Sequence, residues 1–117
     1  VENEGDGSFA MRPLPFEAQL APMYGIHTDD VNGDGHLDVL LAGTFHGVPP
    51  NLGRMDASYG VVLHGDGAGG FSAVPTRESG FRVTGEARDI VSIDVAGQSN
   101  LIVVAKNDGP VQVFRRR

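Results

Sequence analysis

Asp30-Val31-Asn32-Gly33-Asp34-Gly35-His36-Leu37-Asp38, followed by Val39-Leu40-Leu41-Ala42-Gly43, is the stretch on which the fold turns. Side-chain oxygens recur at 30, 32, 34 and 38, and Gly35 stands where the backbone must bend sharply. A loop of this kind wraps a hard cation, Ca2+. Carboxylate and amide oxygens come from loop positions 1, 3, 5 and 9, and a backbone carbonyl from position 7, here His36. Three carboxylates packed this closely repel one another without a cation between them. Asp, Asn and Gly are also the commonest turn residues, so a solvated turn is the competing reading. The position-by-position match of ligands and glycine favours the metal loop.

The residues just after the loop decide its type. An EF-hand needs a bidentate acid at position 12 and amphipathic helices on both sides. Position 12 here is Leu41. A dockerin loop also wants an acid there and a helix after it, so it fails on the same residue. Val39 to Ala42 is an apolar, partly β-branched run closed by Gly43, the pattern of a buried strand. The loop is therefore expected to join two strands.

At 117 residues the chain is one domain's worth of material. It has no cysteine, hence neither a disulfide framework nor a thiolate zinc site. A net charge of -6 and a pI near 5.0 argue against a nucleic-acid binder. The terminal Arg115-Arg116-Arg117 reads as a solvated chain end. No apolar run approaches the roughly 20 residues that span a bilayer, and no signal-peptide pattern is present. The first residue is Val1 rather than Met, as expected of a processed product or an excised piece. Seventeen glycines and seven prolines with no long helical period predict many short strands joined by tight turns. Phe16 to Tyr24 has room for a helical turn, limited by Pro13, Pro15 and Pro22.

The chain repeats itself. Gly5-Asp6-Gly7-Ser8-Phe9 is matched by Gly67-Ala68-Gly69-Gly70-Phe71, 62 residues on, and Asp30-Val31-Asn32-Gly33 by Asp94-Val95-Ala96-Gly97, 64 residues on. An apolar strand comes after each Asp-Val-x-Gly: Val39 to Ala42 in the first copy, Leu101 to Ala105 in the second. Short strands repeated at a fixed period mark a propeller or solenoid, in which each unit buries its face against its neighbours.

Gly-Asp-Gly-Ser-Phe, then Asp-Val-Asn-Gly-Asp-Gly-His-Leu-Asp with an apolar strand behind it, resembles the FG-GAP/VCBS repeat, strongly over residues 4–43 and weakly over 64–114. The resemblance implies an all-β fold of four-stranded antiparallel β-propeller blades, with a calcium loop between the first two strands of a blade. The ligands it implies are Asp30, Asn32, Asp34, the His36 carbonyl and Asp38. The second copy departs from the pattern, with Ala96, Gln98 and Ile102 at the places of Asn32, Asp34 and Asp38. Only Asp94 remains, and no metal is expected there.

The strand map expected on this basis places a first blade at about 24–75, with strands at 24–29, 38–43, 59–64 and 71–75. A second comes at about 87–115, with strands at 87–94, 101–106 and 110–115. The second has three strands where a blade has four, and residues 7–11 have the character of the fourth. Two blades cannot close a ring, so the chain is expected either to be part of a larger propeller or to assemble as a homo-oligomer. The connection Thr44 to Ser58 is long enough to be a partner-binding loop or a tolerated insertion. His27, His36, His46 and His64 share no metal-ligand spacing, and Gly65-Asp66-Gly67 lacks a phosphate-loop context.

No serine, histidine and acid grouping suggests nucleophilic catalysis. The expected function is a calcium-binding, non-catalytic propeller module for protein or carbohydrate interaction or adhesion. The alternative is part of a propeller enzyme, a polysaccharide lyase or hydrolase, whose site other repeats build. The resemblance, and millimolar external Ca2+ suiting a weak loop, imply a secreted, periplasmic or cell-surface bacterial setting.

Overall fold

The short, glycine-bounded apolar runs do form strands. In the computed structural model, which describes residues 2–19, 22–43, 60–97, 101–107 and 109–115, the chain is all-β, with three antiparallel sheets and almost no helix. A small hairpin pairs β1 (Glu2–Asn3) with β2 (Phe9–Ala10). A four-stranded meander comes next: β3 (Met23–Asp29), β4 (Asp38–Gly43), β5 (Val61–Gly65) and β6 (Phe71–Val74), each beside its successor. The third sheet orders β7 (Glu86–Ile93), β8 (Leu101–Asn107) and β9 (Gln112–Arg115) in the same way. A 3-10 turn at Phe16–Gln19 and one helical turn, α1 (Thr76–Ser79), complete the described elements.

The expected strand bounds move by one or two residues. The third strand runs 61–65 rather than 59–64, and the last starts at Gln112 rather than 110, because Pro110 has no N–H to give a ladder. Residues 7–11 contribute only Phe9–Ala10. That strand pairs with Glu2–Asn3, so inside one chain it does not complete the β7–β9 sheet. Of the turn expected within 16–24, the described residues form a 3-10 turn at Phe16–Gln19, and β3 begins directly after Pro22. Thr44 to Ser58 lies outside the described residues.

The sequence repeat is also a structural one. β3 and β7 both carry a β-bulge, between Met23 and Gly25 and between Ala87 and Asp89. After it the registers correspond: Ile26 opposes Leu41 as Ile90 opposes Val104. The glycine turns correspond as well. The Glu4 N–H donates to the Ser8 carbonyl at 3.1 Å, and the Asp66 N–H to the Gly70 carbonyl at 3.0 Å. Gly5 and Gly7 have φ of 84° and 92°, and Gly67 and Gly69 have 78° and 87°. The β1–β2 hairpin is therefore the counterpart of β5–β6, a second occurrence of the same glycine-turn hairpin.

β4 is apolar on both faces because both are covered. Leu40 and Ala42, with Val62 of β5, pack against Ala87, Ile90, Ile102 and Val104 of the third sheet, with Phe81 and Val83 from the connection. Leu41 joins Val61 and Leu63 on the opposite face, where Ala18 and Phe71 pack. At the bulges the two repeats touch directly: the Arg88 guanidinium stacks 4.6 Å from the centroid of the Tyr24 ring, a cation–π contact.

Candidate metal site

All five residues expected to hold a cation, Asp30, Asn32, Asp34, His36 and Asp38, fall in or at the end of the β3–β4 connection. Asp30 organises the turn. Its Oδ1 accepts the N–H groups of Gly33 (2.8 Å) and Asp34 (3.2 Å), and its Oδ2 that of Gly35 (2.8 Å). Asp34 Oδ1 accepts the His36 N–H at 2.8 Å, and Asn32 Oδ1 shares the Asp34 N–H at 3.2 Å. Gly35 takes φ of 88°, a left-handed conformation open to glycine at little cost. The backbone is thus wound around the carboxylates, with successive N–H groups aimed at them.

Asp38 is different in kind. It is fully buried, and its two oxygens accept the N–H of Val31 at 3.0 Å and of Gly65 at 2.9 Å. One bond closes the loop and the other pins it to the end of β5, 27 residues away. Position 65 must be glycine, since a Cβ there would run into the Leu37 carbonyl oxygen. His36 lies over the neighbouring turn, where its ring fills the space a side chain at 67 would need.

That turn, Asp66 to Gly70, is a neighbour the sequence did not reveal. Asp66 Oδ1 accepts the N–H groups of Ala68 (2.7 Å) and Gly70 (2.9 Å), which hold its carboxyl below the usual aspartate range. Asp34 is likewise held below that range, chiefly by the His36 N–H, with smaller contributions from Asn32 and the His36 and His64 rings. A 30-residue separation with no shared pattern left no signal for this approach.

Whether these residues fit Ca2+ is a question of donors and of convergence. The donor set fits: three carboxylates, an amide oxygen and a backbone carbonyl are all hard oxygen ligands. Each carboxylate oxygen has two lone pairs, so Asp30 Oδ2, Asp34 Oδ1 and both Asp38 oxygens, with one N–H each, keep acceptor capacity, whereas Asp30 Oδ1 already accepts two N–H groups. The convergence is incomplete. The Asn32 Nδ2 donates to Asp34 Oδ2 at 3.1 Å, and among the described residues no three His, Cys, Asp or Glu side chains close on one point. To seat an ion the Asn32–Asp34 contact has to open.

At the second copy's loop, Asp94 is exposed and Gly97 repeats the left-handed turn of Gly33, with φ of 77° against 78°. Gln98 lies outside the described residues. Elsewhere, a cleft of about 720 Å3 lies between the β1–β2 hairpin and β6, lined by Pro13, Leu14 and Phe71. Its charged side chains, Glu2 and Arg12, form an ion pair with each other. No helix of the described residues is long and apolar enough to cross a membrane. No family model, curated protein or solved structure matches the chain.

Proposed function

We propose that the chain is a calcium-binding, non-catalytic β-propeller segment of the FG-GAP/VCBS kind that presents a surface for a protein or carbohydrate partner outside the cytoplasm. The observation that carries this reading is the 30–38 loop itself. It joins two adjacent strands of an antiparallel meander, and the N–H groups of Gly33, Asp34, Gly35 and His36 are directed at the carboxylates of Asp30 and Asp34. Asp30, Asn32, Asp34, the His36 carbonyl and Asp38 would hold the ion, which would supply charge neutralisation and no chemistry. The exposed setting of Asn32, Asp34 and His36 fits the weak, millimolar class of calcium loops.

The stacking of the four-stranded sheet on the three-stranded one supports reading them as successive blades. On this reading β1–β2 is the outer half of a preceding blade.

Calorimetric titration of chelator-treated protein with Ca2+ tests the metal. One ion per chain is expected, lost in Asp34→Ala, whose exposed side chain leaves the core untouched. Two ions, or none, would overturn the assignment.

A further inference from the structure

Asn32 is the only asparagine of this chain that is followed by glycine. An asparagine is labile when the backbone nitrogen of the next residue can reach its side-chain carbonyl carbon. Glycine opens that approach, because it has no Cβ to shield its nitrogen. The fold supplies the geometry. Asn32 Oδ1 shares the Asp34 N–H at 3.2 Å, an Asx-turn that folds the side chain back over the intervening Gly33 peptide. The same N–H polarises the carbonyl whose carbon is the point of attack. The Asn32 Nδ2 donates to Asp34 Oδ2 at 3.1 Å, and the Gly33 N–H, which has to give up its proton, donates to Asp30 Oδ1 at 2.8 Å. Asn32, Gly33 and Asp34 are all exposed, so water has free access.

No other side chain combines these features. Asn3 Oδ1 accepts the Gly5 N–H in a similar turn, but Glu4 comes next and its N–H is engaged with the Ser8 carbonyl. Asn107 Nδ2 is tied across the strand pair to Glu86 Oε2 at 3.0 Å, and an aspartate follows it. Asn51 and Asn100 both precede leucine. Asp6, Asp34 and Asp66 each precede glycine in an Asx-turn, yet an ionised carboxylate is a poor electrophile and has no amine to lose.

We propose that Asn32 is a site of spontaneous self-modification. The Gly33 nitrogen attacks Asn32 Cγ, the N–Cγ bond forms as the Cγ–Nδ2 bond breaks, and ammonia departs with the proton that Gly33 gives up. Water then opens the cyclic imide to aspartate or to isoaspartate. Holding the reacting atoms together is what makes the step intramolecular and fast. Isoaspartate routes the main chain through the former side chain and lengthens it by one methylene, which carries Asp34 and Gly35 off their bonds to Asp30. One further consequence rests on the calcium reading above. A bound ion takes Asn32 Oδ1 as a ligand, opens the Asn32–Asp34 contact and turns the carbonyl away from Gly33. Calcium then protects the loop, and a molecule left without it ages irreversibly.

Peptide mapping by mass spectrometry tests this on the full chain, kept folded at body temperature and mildly alkaline pH, in chelator and in Ca2+. In chelator Asn32 should convert over days, several-fold faster than any other asparagine, with aspartate and isoaspartate both appearing. Asn32→Gln, whose cyclisation needs a larger and slower-forming ring, should stay intact. Saturating Ca2+ should slow the loss of Asn32 several-fold. Asn32 left intact in the folded chain, whether or not urea unfolding then releases it, would overturn the proposal, as would conversion spread evenly over the asparagines. Conversion of Asn32 at equal rates in the two buffers would uphold the self-modification and remove the metal assignment.

Discussion

At the scale of single residues, Asp38 contributes most for its size. Its carboxylate serves two backbone N–H groups from inside the fold. Leaving a buried donor unsatisfied costs about 1–3 kcal/mol. Asp38→Ala strands two, so urea unfolding of the calcium-free protein should show a loss of about 2–6 kcal/mol by that principle. The exposed aspartates act through pH instead. Asp34 is held below its ordinary value first by the His36 N–H, Asp66 by those of Ala68 and then Gly70, and Asp6 by the Ser8 hydroxyl and N–H. A depressed carboxylate contributes stability that is full above the unfolded-chain value, about 3.9, and is lost as pH falls through the folded value. The urea midpoint should therefore fall from pH 4 downward, and Asp66→Asn should make that fall shallower. The alternation of oxygens made Asp30 to Asp38 legible as one loop. The division of labour within it was not, because Asp38's second partner, Gly65, lies 27 residues away and glycine carries no pattern of its own.

Among the elements, type was easier to read than extent. Val39 to Ala42 and Leu101 to Ala105 announced buried strands because short apolar, β-branched runs between polar or glycine residues have few other uses. Glu2–Asn3 was invisible, being two polar residues that are a strand only because Phe9–Ala10 lies beside them. The bulges at Tyr24 and Arg88 were also hidden, since one extra residue leaves no mark on a short alternation. Packing energetics belong at this scale. Leu63 is fully buried between β4 and β6, so Leu63→Ala should cost about 2–5 kcal/mol in a chemical-denaturation experiment. The exposed Val111 should cost little on the same change, within about 0.5 kcal/mol.

For the whole molecule, the far-UV spectrum should be that of strand, with helix below about a tenth of residues against an average near a third. Calcium binding only the folded state should raise its stability by about 2.7 kcal/mol at a hundredfold excess over Kd. Differential scanning calorimetry should then show a midpoint several degrees higher, and an unchanged midpoint at saturating Ca2+ would count against the metal. All-β architecture was legible from composition and repeats. The sheet-on-sheet arrangement was not, since which face of Leu40 or Leu41 meets which neighbour is set by the three-dimensional fold and not by the period of two. The repeats also differ in one respect that bears on time rather than stability. The β4–β5 connection runs from 44 to 60, whereas its counterpart between β8 and β9 runs only from 108 to 111. Closing the longer loop costs about 1.3 kcal/mol more chain entropy, from the logarithmic dependence on length. The two hairpins are otherwise alike, so the C-terminal one should form first, by roughly tenfold. The folding nucleus then lies in β8 and β9: Val104→Ala should slow folding, while Val62→Ala should mainly speed unfolding in stopped-flow chevrons.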